Sequence, residues 1–226
     1  MIELKSFKDI HKNEDIYVLA SGKSVDFISN DFFNNKIVIG INQAYKKVKC
    51  KYLLRKEHKM LETIIKLNPE SIHFISRGDC GDNNNKNLNY VIKNKDKLNK
   101  VVIYDHNPNK HLVIDSLPKH NNKLVVSYST ITTGIHLAAY MGAKNIILVG
   151  HDCGTIDGEC NFKDYHTAQT YKITWRNGKK DYVNWLKKIE NQTIKLKSLL
   201  KKEYNCNIYS LNPFINFNLE GHKYKK

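Results

Sequence analysis

Ile16-Tyr17-Val18-Leu19-Ala20-Ser21-Gly22-Lys23-Ser24 is the stretch that decides the fold. Its first five residues form a short, unbroken apolar run rich in β-formers. That pattern belongs to a strand buried on both faces, as in a parallel sheet. The run stops at a serine and a glycine, and a helix-like segment follows. Glycine lets the backbone approach a ligand closely. The first N–H groups of a helix lack internal partners and favour an anion. Ser129-Thr130-Ile131-Thr132-Thr133-Gly134-Ile135-His136 repeats the same ingredients. Either segment alone also fits a tight turn with a capping hydroxyl, because short glycine-containing patterns recur often. The two together, each beside a strand, point to one nucleotide pocket.

Working outward, similar apolar runs bounded by turn residues occur at 36–41, 52–54, 71–75, 101–104, 145–149 and 207–210. Apolar residues at helical spacing mark 58–67, 133–141 (ending at Gly142) and 181–204. The last carries a stripe of Val183, Leu186, Ile189, Ile194, Leu196, Leu199 and Leu200, with lysines opposite. Strands alternating with helices predict an open, mostly parallel α/β sheet with flanking helices. Ligands in such sheets sit beyond the carboxyl ends of the strands. Ser21, Gly22, Ser24, Asn42, Gln43, Thr132, Thr133, Gly134, His151 and Asp152 all fall there. Residues 78–89, rich in Gly, Asn and Asp, read as a mobile loop. Residues 154–178, long, polar and aromatic, with Tyr165, His166, Tyr171 and Trp175, read as a lid.

A length of 226 residues and a 41% hydrophobic share fit a single domain spanning 1–226, with 154–178 as its lid. No apolar stretch approaches the roughly 20 residues of a membrane span, and the first residues lack a signal-peptide pattern. A cytoplasmic location is the expectation. Five cysteines without a CxxC pair argue against a zinc ribbon or a disulfide scaffold and are read as reduced thiols. The formal charge of +15 fits an anionic partner, although the lysines are spread along the chain and compositional drift toward Lys and Asn also accounts for them. No specific nucleic-acid partner is expected. Lys223-Tyr224-Lys225-Lys226 could make peripheral contact with an anionic membrane surface.

Among the candidates, Asn42 and Gln43 could read a base or a ribose, or satisfy their own turn. Asp152 could hold a ribose hydroxyl, a magnesium ion or a neighbouring histidine, or cap the next turn. His166 and His151 have the side chain suited to proton transfer near neutral pH. His136 is expected to pack in the core. No histidine pair has a tight metal-ligand spacing, and neither a Walker A pattern nor a complete GxGxxG occurs. No metal site is assigned.

Ala20-Ser21-Gly22-Lys23-Ser24, Ile41-Asn42-Gln43-Ala44-Tyr45, Ile131-Thr132-Thr133-Gly134 and Val149-Gly150-His151-Asp152, in that order, resemble two related groups. One is the Campylobacter-type bacterial sialyltransferases. The other comprises the motility accessory factors and 6-hydroxymethylpterin pyrophosphokinase-like proteins. The late Asn207-Ile208-Tyr209-Ser210-Leu211-Asn212-Pro213 also looks like a sialyltransferase strand and its Pro-containing loop. The resemblance implies a Rossmann-like fold and a pocket for a CMP-activated nonulosonic sugar. Ser21, Gly22, Ser24 and Asn42 would contact the nucleotide, Thr132-Thr133-Gly134 would approach the phosphate or sugar, and Asp152 would lie near the ribose. The chain departs from the sialyltransferases at Thr130, where they carry an arginine, and at Gly154, where they carry a tyrosine. It departs again at Arg176 and Lys179, near which they place a catalytic histidine.

The expected activity is glycosyl transfer from a CMP-activated, sialic-acid-like donor to a surface glycan or glycoprotein. His166 is the first candidate base and His151 the second, and no cofactor is required. One alternative is an ATP-dependent pterin-type pyrophosphokinase, with magnesium held partly by Asp152. Another is a non-catalytic nucleotide- or glycan-binding module.

Overall fold

In the computed structural model, which describes residues 2–78, 84–107, 114–119, 122–165 and 179–211, the apolar runs become the strands of a sheet. In chain order the elements are β1 (Ile2–Glu3), β2 (Asp15–Leu19), β3 (Ile37–Ile41), β4 (Tyr52–Arg55), α1 (Leu61–Leu67), β5 (Ile72–Ser76) and α2 (Lys86–Lys93). Then come β6 (Val101–Asn107), β7 (Lys123–Val125), α3 (Thr130–Tyr140), β8 (Asn145–Val149), α4 (Lys179–Tyr204) and β9 (Asn207–Ser210). Among the described residues the nine strands run in the order β1-β6-β5-β4-β3-β2-β8-β9, with β7 paired to β6. Each of these strand pairings is parallel. The expected open α/β architecture is therefore what the chain adopts.

β2 lies where the strand order reverses. β3 to β6 extend on one side and β8 and β9 on the other, with Leu19 paired to both Gly40 and Val149. A crevice opens at such a switch point, beyond the carboxyl ends of the strands. The unbroken apolar runs follow from burial on both faces. Ile16 and Val18 join Ile146, Leu148 and the helix residues Ile131 and Ile135 in one cluster. Leu19 joins Ile147, Val149, Val25, Phe162 and Tyr165 in another. Alternate residues of a strand point to opposite faces, so each must be apolar here.

All eleven residues of α3 are buried. Gly134 explains how it lies so close to the sheet: a Cβ there would come 2.7 Å from Ile41 Cδ1 and 3.2 Å from Val18 Cγ1. α4 packs along α3 and β9, burying Leu196, Leu200, Gln192 and Thr193. Ile194, counted above in its apolar stripe, is instead 45% exposed.

Several local expectations are corrected. The segment after β2 forms short 3-10 turns, Lys23–Phe27 and Asn30–Phe33, rather than an α-helix. α3 begins at Thr130, so Thr132-Thr133-Gly134 is helix and not the turn before it. Residues 86–89, assigned above to a mobile loop, open α2. Asn87 anchors them: its buried amide donates to Lys56 O (2.8 Å), Ser76 O (2.9 Å) and Gly78 O (2.6 Å). Its Oδ1 accepts from His58 N at 3.2 Å. A residue type that usually marks turns is here a buried connector of three loops, which composition could not reveal. Residues 79–83 of that segment, the later lid residues 166–178 and the tail 212–226 lie outside the described residues. No helix among the described residues is long and apolar enough to cross a membrane.

Candidate functional site

A cleft of about 350 Å³ opens at the carboxyl ends of β2, β3 and β8, with α4 along its far bank. The turns after β2 and β8 build its floor together. Ala20 N donates to Val149 O at 2.8 Å and Gly22 N to Gly150 O at 2.7 Å, so the parallel ladder continues past both strand ends. Ser24 N then donates to Asp152 Oδ2 at 2.8 Å, and its hydroxyl donates to Asp152 Oδ1. Glycine is required at position 22 for this closeness: a Cβ would lie 2.4 Å from both Asp152 Cγ and Gly150 O. Asp152 is only 3% exposed, and that burial pushes its carboxyl above the usual range while the Ser24 hydrogen bonds act against it. Ser24 and Asp152 thus clasp two turns. Ser21, Gly22 and Asp152 line the cleft, and Ser24 lies behind them.

Asn42 supplies a side chain from the end of β3. Its φ is +54°, a left-handed conformation that asparagine tolerates better than most residues. Its N–H donates to Leu54 O at 2.9 Å, and the residue lines the cleft. Gln43 stands at the N-cap position of the following 3-10 turn, makes no side-chain capping bond and is not part of the lining.

The opposite wall is the N-terminus of α3. Ser129 is extended and caps the helix, its hydroxyl accepting from Ile131 N at 3.5 Å. Thr132 shapes the approach to it: its hydroxyl accepts from Ser127 N at 3.0 Å and donates to Ser129 O at 2.7 Å. Tyr128, Ser129, Thr130 and Ile131 line the cleft. The positive end of the α3 dipole therefore borders the cleft. Thr132, Thr133 and Gly134 are fully within the helix and are absent from the lining, with Thr132 and Thr133 at 0% exposure. The helix starts earlier than the glycine, so the hydroxyl-bearing residues of this segment that line the cleft are Tyr128, Ser129 and Thr130.

His151 lines the cleft but is almost wholly buried. Its Nε2 lies 2.9 Å from Thr193 Oγ1, and that hydroxyl donates its proton to Ile189 O at 3.0 Å. Cys153 Sγ lies 3.7 Å from the same ring nitrogen, so Nε2 faces both a hydroxyl and a thiol. Burial pushes this imidazole down to about 4, so it is neutral at pH 7 and a weak base. His136 is a core residue, as expected: Val125 N donates to its Nδ1 at 3.0 Å, and its Nε2 faces Pro118 O at 3.0 Å. His166 lies outside the described residues.

The first part of the 154–178 segment is docked on the β2 turn. Phe162 N donates to Ser21 O at 2.9 Å, Lys163 N donates to the Asp26 carboxylate at 2.9 Å, and Tyr165 is buried while lining the cleft. Cys50, Cys153, Cys160 and Cys206 are free thiols, and Cys80 lies outside the described residues. Among the described residues no group of three or more His, Cys, Asp or Glu side chains is placed to hold a metal ion.

The cleft also contains residues that the sequence reading did not assign to it: Lys56 just past β4, Tyr128 and Trp185. Tyr128 could have been found from its place immediately before the Ser129 cap. Trp185 is four residues before the buried Ile189 and next to Leu186, so its helical spacing marked it as facing inward. Lys56 carries no local signal, because only the sheet order brings the end of β4 beside β3.

Solved structures share this architecture. The sialyltransferase CstII from Campylobacter jejuni, in complex with cytidine-5′-monophosphate, is 20% identical with a TM-score of 0.53, over 93% of this chain and 85% of that one. The monofunctional α-2,3-sialyltransferase Cst-I from Campylobacter jejuni is 18% identical with a TM-score of 0.54, over 90% of this chain and 78% of that one. The MAf glycosyltransferase from Magnetospirillum magneticum AMB-1 is 12% identical with a TM-score of 0.52, over 97% of this chain but only 37% of that one. No protein-family model matches the chain, and no curated protein sequence is similar to it. In its fold, the chain is similar to these bacterial sialyltransferases and to part of the MAf glycosyltransferase.

Proposed function

We propose that the chain is a glycosyltransferase whose donor is a CMP-activated nonulosonic sugar. The observation that carries this reading is the joint placement of Ser21-Gly22, Asn42 and the α3 N-terminus in one cleft at the switch point. The likeness in fold to a sialyltransferase crystallised with cytidine-5′-monophosphate supports the choice of nucleotide.

In this reading the acceptor hydroxyl attacks the anomeric carbon. The bond from that carbon to the phosphate oxygen breaks, and CMP departs with the electron pair. The α3 N–H groups and the ammonium of Lys56 stabilise the leaving charge, which preorganised donors do without reorganising during reaction. Asn42 reads the base or ribose. Asp152 positions the Ser21 to Ser24 turn through its two hydrogen bonds to Ser24. The acceptor proton goes to His166. His151 fits that role less well, since an imidazole held near 4 is poorly matched to a base working at neutral pH. No metal is required.

Isothermal calorimetry with CMP and ATP tests the assignment, followed by turnover of a CMP-activated nonulosonate in EDTA. CMP should bind more tightly, and activity should survive chelation. Tighter ATP binding together with activity restored by magnesium would replace this reading with the pyrophosphokinase, and CMP binding without turnover would leave only a binding module. Asn42→Ala should weaken CMP by about 1–3 kcal/mol if its amide is a buried partner. His166→Ala should lower turnover about 100-fold at nearly constant donor affinity.

A further inference from the structure

The two banks of the cleft differ chemically. One is polar and formed by the turns after β2, β3 and β8. The other is Tyr128 with Trp185, Leu186 and Ile189 from α4. No side chain of this second bank has a part in the transfer chemistry described so far. The two rings meet edge to face, with centroids 5.3 Å apart and an interplanar angle of 87°. Lys188, one turn from Trp185 on α4, places its Nζ 5.6 Å from the Tyr128 ring centre. Tyr128 holds a φ of +57°, a conformation costly for a bulky side chain and tolerated where the surroundings enforce it. The T-shaped pair and the lysine hold two aromatic rings at the cleft wall beside the Ser129 cap.

We propose that Tyr128 and Trp185 form the acceptor subsite and that the acceptor is a pyranose of a glycan, not a hydroxyl of a polypeptide. This rests on the transferase reading. A pyranose has a C–H face that packs flat against an aromatic ring, while its hydroxyls point outward to polar groups. The cleft supplies both: rings on the α4 bank, and the hydroxyls of Ser129 and Thr130 nearby. A pyranose seated there lies across the cleft from the Ser21-Gly22 and Asn42 turns assigned to the nucleoside and beside the α3 N-terminus assigned to the phosphate, where its hydroxyl can approach the anomeric carbon.

The sequence has two tryptophans, so Trp175→Phe leaves Trp185 as the single tryptophan, excited at the red edge where the tyrosines do not absorb. Its emission is titrated with methyl β-galactopyranoside, methyl β-glucopyranoside and methyl N-acetyl-β-glucosaminide, and with a short Ser/Thr-containing peptide, each with and without CMP. A saturable change with at least one pyranoside, and none with the peptide, is expected. Tyr128→Gly should weaken that pyranoside response at least tenfold. Glycine is at ease at positive φ, so this variant removes the ring without backbone strain, and circular dichroism verifies its fold. Trp185→Leu should raise the acceptor KM in transfer assays by a similar factor. Silence toward all pyranosides, or a response to the peptide alone, overturns the proposal. Because the titration without CMP needs no donor, a protein that answers to pyranosides but not to CMP would discredit the donor assignment and leave the platform standing.

Discussion

The turn around Gly22 and the segment around Gly134 look alike on paper, each a glycine among small hydroxyl residues after an apolar run. The molecule uses them for opposite purposes. At Gly22 the missing Cβ admits another loop, and the space is filled by the Asp152 carboxylate and Gly150 O. At Gly134 it admits a sheet, and the space is filled by Ile41 and Val18. The first glycine shapes a cleft and the second closes a core. The difference teaches that a glycine marks close approach without naming what approaches.

The largest expected effect lies on the core side. Gly134→Val drives a branched side chain into Ile41 and should cost about 3 kcal/mol by overpacking, read as a lowered urea midpoint. CMP affinity of the folded fraction should hardly change. A large loss of CMP affinity with unchanged stability would break the comparison and return Gly134 to the binding site.

Acid tests both regions together. His136 follows Gly134 on α3, and His151 borders the Gly22 turn; burial pushes each from an ordinary value of 6.5 down to about 4. Between those values the unfolded chain holds more protons than the folded one, so stability rises with pH. The contribution is complete above about 6.5 and is lost as pH falls toward 4. At pH 5 each histidine should have cost about 2 kcal/mol. Urea titrations at stepped pH should show a shallower dependence for His136→Gln and for His151→Gln alike. An unchanged slope in either would mean that the imidazole concerned meets solvent.

Gly22→Ala places a methyl group against backbone and carboxylate, which must part. CMP affinity should fall at least tenfold, about 1.4 kcal/mol, with a smaller change in stability. The reverse proportion would make Gly22 a packing residue like Gly134. The smallest effect belongs to Ser24→Ala. It removes one hydrogen bond to Asp152 but keeps the backbone N–H bond, so about 1 kcal/mol of stability is expected by thermal unfolding. A loss several times larger would mean that the clasp depends mainly on the hydroxyl.

The strands were legible in the sequence because burial on both faces leaves an unbroken apolar run, and residues 145–149 and 207–210 form β8 and β9 as expected. β1 and β7 were not, since elements of two and three residues are too short to carry a period. Asn42, Ser21, Gly22, His151 and Asp152 could be placed beyond strand ends from order alone, and the structure brings all five to the cleft. Gln43, Ser24, Thr132, Thr133 and Gly134 share the same neighbourhood in the chain but not the same surface.

What the sequence by itself determined is the alternation of buried strands and helices, and with it a parallel sheet whose loops gather at one end. That follows from local periodicity, which each segment carries alone. Only the tertiary structure decided which small residues face a ligand and which face the core. It set the start of α3 at Thr130, turned Asn87 into a buried hub and brought Lys56, Tyr128 and Trp185 to one cleft. Those outcomes depend on strand order and on contacts between residues far apart in the chain, and neither leaves a mark on local sequence.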